Sequence, residues 1–244
     1  MLSKKSSNLL SSVINQKKKT KFLKCNKSGT LEDIRICNTN LQQVPNFKYL
    51  GSNVNSKNTI EEIKERFTLG NRAYFANLAL FKSKLISKHS KLRIYWTIIR
   101  PVVTYASETW VLKETTKHRL LIFERSILRR IFGPTKMNNG NWRIKNNTEL
   151  NKLIKHRNII NHIKSLRLGW FGHINRMQNQ SLVKNIYKWK PIANRRLGRP
   201  KNRWEDDIMH DLKIMKVKNW MNLVLERRER RKVVERVKTF TGEL

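Results

Sequence analysis

Apolar residues recur along this chain with two different periods, and the change falls near residue 57. Before it come three short runs, TKFLKCN, DIRICN and NFKYLGS, parted by Gly29 and by Asn38-Thr39-Asn40. Brief apolar or aromatic runs bounded by turn-forming residues predict strands. The third run carries Phe47, Tyr49 and Leu50 and stops at Gly51-Ser52-Asn53, which predicts a hairpin turn. From Thr59 the period becomes helical. Thr59 followed by Glu62 has the form of a capping box, and Ile60, Ile63, Phe67, Tyr74, Leu78 and Phe81 follow at helical spacing. Gly70 lies inside that run, at an expected cost of about 1 kcal/mol relative to alanine. A second helix is predicted from Ser90 towards Trp110, kinked or broken at Pro101. A third, from about Thr116 to Phe132, ends at Gly133-Pro134. It presents Leu120, Phe123, Ile127 and Ile131 on one face, with Arg125 and Arg129 on the other.

Residues 134–148, PTKMNNGNWRIKNNT, are polar and rich in Asn and predict a linker. A helix is expected from about Glu149, then the cluster LRLGWFGHINRM, the basic stretch KPIANRRLGRPKNRW, and two helices near 202–214 and 217–238. The expected architecture is mainly α. A small N-terminal β part spans 1–56, a helical bundle 57–133, a linker 134–148 and a second helical module 149–244.

Charge changes this picture. Lys and Arg number 53 against 17 Asp and Glu, a net +36, while hydrophobic residues make up 39% of the chain. The apolar content argues for a folded chain, because solvated tails lack the Trp and Phe needed for a core. The charge argues for a polyanionic partner. Cys25 and Cys37 show no metal-ligand spacing and read as free thiols. No run of about eighteen apolar residues predicts a membrane span. The N-terminal MLSKKSSNLLSSVINQKKKTK is compatible with a transit peptide or, through KKKTK, a nuclear signal. The expected location is nucleus or cytoplasm, without secretion.

Five blocks, in this order, resemble the C-terminal part of the reverse transcriptases of non-long-terminal-repeat retrotransposons. INQKKKTKFL is similar to the family's motif D, through Asn15, Lys19 and Thr20. VPNFKYLGSNVN is similar to its primer grip, through Phe47, Lys48, Tyr49, Leu50 and Gly51. The helical segments EIKERFTLGNRAYFANL, LRIYWTIIRPVVTYASETWVL and LLIFERSILRRIFG resemble its thumb. RLGWFGHINRM and GRPKNRWEDDIMHDL resemble the region after the thumb. The resemblance implies a palm remnant in 1–56, a thumb in 57–133 and RNA and DNA as partners, the element's own RNA among them. It also implies that the intact enzyme uses Mg2+ on palm carboxylates. Residues 1–31 contain no Asp or Glu, so these carboxylates cannot lie there. No catalytic residue, metal site or cofactor is therefore expected in this chain. Two-metal nucleotidyl transfer needs acidic ligands that basic residues cannot replace.

The candidate phosphate contacts are Arg125 and Arg129 on the third helix and the strip Arg195, Arg196, Arg199, Lys201 and Arg203, where Gly198 and Pro200 oppose a regular helix. Trp170, Phe171 and His173 fit a small core better than a stacking platform. Glu205, Asp206, Asp207 and Asp211 read as helix-dipole partners paired with Arg203 or Lys213 rather than as a metal site. His156, His162 and His173 read as packing or surface residues. In ERRERRKVVERVK, Glu226 with Arg230 and Arg231 with Glu235 are expected i,i+4 pairs on a soluble helix face. A large packing cost is expected for truncating Tyr49 if the hairpin is buried. The functional expectation is nucleic-acid binding by a reverse transcriptase fragment without polymerase activity. The rival is a basic helical scaffold whose charge serves solubility alone.

Overall fold

The computed structural model describes residues 21–23, 33–36, 39–55, 60–189 and 203–241. The chain divides into two compact units, residues 1–65 and 66–244. It is mainly helical with small sheets, as the periodicity predicts.

In the first unit β1 (Lys21–Phe22) runs parallel to β3 (Thr39–Gln43), whose other edge pairs antiparallel with β2 (Ile34–Ile36). β3 occupies a stretch whose Thr39 and Asn40 suggested a turn. Leu41 and Gln43 are buried while Gln42 is exposed, so the strand alternates with a single apolar residue. A pattern test that counts apolar side chains has nothing to detect there.

The predicted hairpin is present as β4 (Asn46–Tyr49) and β5 (Ser52–Asn55). Tyr49 faces Ser52 in register, leaving Leu50-Gly51 as a two-residue turn with φ of 46° and 81°. Positive φ at both central residues is the type I′ signature, which matches the twist of the flanking strands. The packing expected of Tyr49 is overturned: its side chain is 61% exposed. Polar contacts to the start of α1 (Ile60–Ala76) hold the hairpin instead. Glu62 accepts from the Asn53 amide at 2.6 Å and from Ser52 Oγ at 3.1 Å, Lys48 pairs with Glu65 at 3.3 Å, and Asn55 donates to Glu61. Thr59 lies outside the described residues.

The boundary between the units falls inside α1. The second unit continues through α2 (Leu78–Lys82), α3 (Lys88–Ile94), a π turn at Tyr95–Ile99 and α4 (Arg100–Val103). Pro101 explains the irregularity. It has no N–H for the Thr97 carbonyl, and in α geometry its ring would collide with that carbonyl. The ladder widens before the proline, so that the Arg100 amide bonds to Tyr95 O.

A short 3-10 turn at Ser107–Thr109 leads to α5 (Glu114–Phe132), whose predicted face of Leu120, Phe123, Ile127 and Ile131 is buried. Gly133, with φ +69°, ends the helix where expected. Gly70 of α1 is less a tolerated cost than a requirement. A Cβ there would overlap Val103 Cγ2 and meet Phe123 Cζ at 3.0 Å.

Residues 134–148, expected as a linker, carry the hairpin β6 (Thr135–Lys136) and β7 (Trp142–Arg143). α6 (Asn147–Leu153) follows, opened by a capping box of Asn146 and Glu149. α7 (Ile159–Arg176) packs on both α5 and the C-terminal α11 (Arg227–Lys238), so the segments on either side of the hairpin share one unit. Between α7 and α11 lie α8 (Leu182–Lys188), α9 (Trp204–Ile214) and α10 (Trp220–Leu225). The single helix expected over 217–238 is interrupted at Glu226, whose backbone is extended. Leu168, Phe171, Ile208, Leu212, Met215 and Val237 form a core that Trp204 and Trp220 flank. α11 thus contributes packing as well as a polar face. Its described ion pairs are Glu229–Lys232 and Glu235–Lys238, one residue closer in sequence than expected.

Candidate nucleic-acid interface

The hairpin turn presents the sequence-predicted grip residues unevenly. Phe47 is half-buried, its ring edge-on to Tyr49 at 6.5 Å, while Tyr49 and Leu50 project with 61% and 76% exposure. Lys48 is tied to Glu65. Asn15, Lys19 and Thr20 lie outside the described residues, as do Arg195, Arg196, Arg199 and Lys201. Arg203 is described: it is exposed at the N-cap of α9, without a side-chain capping bond.

The arginines of α5 have separate settings. Arg129 donates to Lys145 O at 3.4 Å and to Asn147 Oδ1 at 2.8 Å, so it braces the connection into α6. Arg125 is half-buried, and its Nε has no hydrogen-bond partner among the described residues. Burial and neighbouring Arg129 lower its pKa.

Inside the second unit, two acids are consumed by buried partners. Asp207 pairs with Arg167 at 3.0 Å and Asp211 with Lys164 at 2.6 Å, joining α9 to α7. This corrects the pairing expected with Arg203 or Lys213. Both cations are at most 2% exposed, and removing one member of such a pair costs about 3–5 kcal/mol because a buried charge is stranded. Burial lowers the Lys164 pKa, and Asp211 opposes the shift. Among the described residues no group of three or more acidic, His or Cys side chains is placed to hold a metal.

Glu124 of α5 went unnoticed in the sequence. It is buried, accepts from Tyr95 OH at 3.0 Å and from the Ile159 amide at 2.8 Å, and has its pKa pushed up by burial to about 7. A signal was there: Glu124 stands four residues from both Leu120 and Leu128, within the apolar stripe. Lys164 and Arg167 occupy the same kind of position between Ile160, Ile163, Leu168 and Phe171. The cluster LGWFGH splits along the helix. Phe171 is fully buried, while Trp170 is half-buried, its ring tilted by 32° against exposed His173 at 5.3 Å.

Asp207 and Asp211 each take a cation inward with them, so the surface keeps the excess of bases that the sequence carries. From Arg66 to Ser107 there is no acidic residue, and Lys82, Lys84, Lys88 and Arg93 are exposed there, with Lys91 half-buried. The acid-free run from Leu150 to Trp204 adds Lys152, Lys155, Arg157 and Lys188. Such a surface suits sequence-independent contact with phosphates.

Fold and charge together define a basic, mainly helical protein. The chain is 24% identical over 204 residues to a transposon-derived protein of Caenorhabditis elegans, in an alignment covering 81% of this chain and 73% of that one. Its origin is transposon-related. No protein-family model and no solved structure matches it. No described helix is long and apolar enough to cross a membrane.

Proposed function

We propose that the chain is a nucleic-acid-binding part of a non-long-terminal-repeat retrotransposon reverse transcriptase that holds RNA or DNA through phosphates and does not itself polymerise. One observation carries the reading. Lysines and arginines of the acid-free segments face solvent, while three acids of the second unit lie inside, Asp207 and Asp211 on buried cations and Glu124 in the core. The transposon-derived relative and the ordered resemblance to grip, thumb and post-thumb segments support it. Mg2+ has no role in this binding. The location that suits it is the nucleus or cytoplasm, where such nucleic acids are met.

Salt titration of duplex and single-stranded binding tests the proposal. Each neutralised phosphate contributes about −0.9 to the slope of log affinity against log salt on duplex DNA. Replacing Lys82, Lys84, Lys88 and Arg93 by Gln should flatten the slope by about 3.6 if each holds a phosphate, equally on unrelated sequences. Binding that ignores salt, or a variant that matches the parent, would move the scaffold reading ahead.

A further inference from the structure

Beside the widened turn that precedes Pro101 lies a cavity of about 200 Å³, entirely within the second unit. Trp96 and Arg100 line it from the π turn and α4, Arg157, Asn158 and His162 from the start of α7, and Glu235 and Lys238 from α11. Three elements distant in sequence therefore converge on it. Its chemistry is unbalanced, with three permanent cations against one carboxylate, and that carboxylate is already bonded to Lys238 at 2.7 Å.

Two donors behind its walls are unpaired. Trp96 Nε1 and Arg100 Nε are buried and have no hydrogen-bond partner among the described residues. Arg100 spends one terminal nitrogen on Arg157 O at 3.4 Å, and its guanidinium lies 5.6 Å from the Trp96 ring. Buried donors are nearly always paired in folded proteins, and these two lie closed behind the cavity wall, so an anion entering the cavity meets the outer parts of Arg100, Arg157 and Lys238. His162 reports the same field. Burial, then the charges of Arg100 and Lys238, lower its pKa to about 4, so it is neutral at pH 7 and can donate or accept.

We infer that this cavity is a receptor for a phosphate monoester, met as the terminal phosphate of a nucleic-acid strand. The charge matches: three cations less one carboxylate leave two, and a monoester carries about −1.5 to −2 at pH 7. The shape discriminates as well. A concave site takes a terminal group with one ester arm, whereas an internal diester carries one charge and must enter and leave. Planar guanidinium groups suit the several acceptor oxygens of a phosphate. The strand-end assignment rests on the nucleic-acid-binding reading above, while the phosphate site itself does not.

The test compares one oligonucleotide sequence carrying a 5′-phosphate, a 3′-phosphate or only hydroxyl ends, at fixed salt. The parent should bind a phosphorylated end on the order of tenfold more tightly than the hydroxyl strand. The double variant Arg157→Gln/Lys238→Gln should erase that preference and weaken hydroxyl-strand binding no more than a control pair with equal charge loss does. A control with equal charge loss outside the cavity, Lys216→Gln/Lys232→Gln, should keep the preference. Equal binding of all three strands by the parent would overturn the strand-end assignment.

Should the parent bind no strand at all, the nucleic-acid reading fails, and inorganic phosphate then tests the cavity alone. Phosphate should raise the His162 titration midpoint, followed by NMR with the resonance assigned through His162→Gln. The shift should vanish in the Arg157→Gln/Lys238→Gln variant. A midpoint unmoved by phosphate would overturn the site.

Discussion

Leu50 occupies a position that its side chain does not favour. A β-turn residue at φ 46° suits Asn or Gly, and 76% of Leu50 is exposed, so little burial would be lost by replacing it. Leu50→Asn is expected to raise stability by about 1 kcal/mol, measured by urea unfolding. If binding falls while stability rises, the leucine is held in place by contact with a partner. Glu124 gives a second prediction, in pH. Its pKa rises from 4.5 unfolded to about 7 folded, so its contribution to stability is full below pH 4.5 and is lost as pH climbs through 7. His162 runs the other way, its pKa falling from 6.5 to about 4, so its contribution is full above pH 6.5 and is lost as pH falls towards 4. The two slopes oppose each other in the wild-type chain. Glu124→Gln keeps an acceptor for the Ile159 amide and removes one slope. Relative to the parent, this variant should gain about 3 kcal/mol between pH 4.5 and 7.5, read from denaturant midpoints at each pH. No gain would mean that Glu124 titrates near its ordinary value.

Among the elements, α5 was legible and the pieces around it were not, for a physical reason. Leu120, Phe123, Ile127 and Ile131 repeat at helical spacing and are stopped by Gly133, so period and terminator agree. β3 holds one buried apolar residue, and β6 and β7 are two residues each, too short for any period to register. Buried Glu124, Lys164 and Arg167 are polar letters, and only their partners on other helices reveal why they lie inside. Of the proposed contact residues, the grip turn was foreseen as a turn, whereas the bracing role of Arg129 depends on a hairpin that the pattern missed. Gly70 shows propensity and packing in conflict. Alanine would gain about 1 kcal/mol in helix propensity, but its methyl would collide with Val103, which is completely buried. Overpacking costs about 1–3 kcal/mol, so Gly70→Ala should lower stability by about 1 kcal/mol on balance. A rise in melting temperature would show that the α1–α4 approach is looser than its geometry implies.

For the whole molecule, the charge and the placement of the acids make one prediction about activity. Residues 1–31 carry no carboxylate, and the described acids of the second unit include those on Lys164, Arg167 and Arg143. Purified chain is therefore expected to show no templated primer extension with Mg2+ or Mn2+, while retaining salt-dependent binding. Extension above a no-enzyme control, abolished by substitutions within this chain, would contradict that expectation.

A π turn closes its hydrogen-bonded ring with one residue more than an α turn. A related gene one codon shorter at Tyr95–Ile99 could thus run an ordinary α-helix through the same place. The widened turn absorbs the extra residue, so the helix before it and the helix after it would keep their mutual orientation once that residue was gone. Arg100 would still face the start of α7, and Trp96 with it unless Trp96 were the residue lost. Such a relative would keep the cavity across a gap that a tally of matching letters counts as damage.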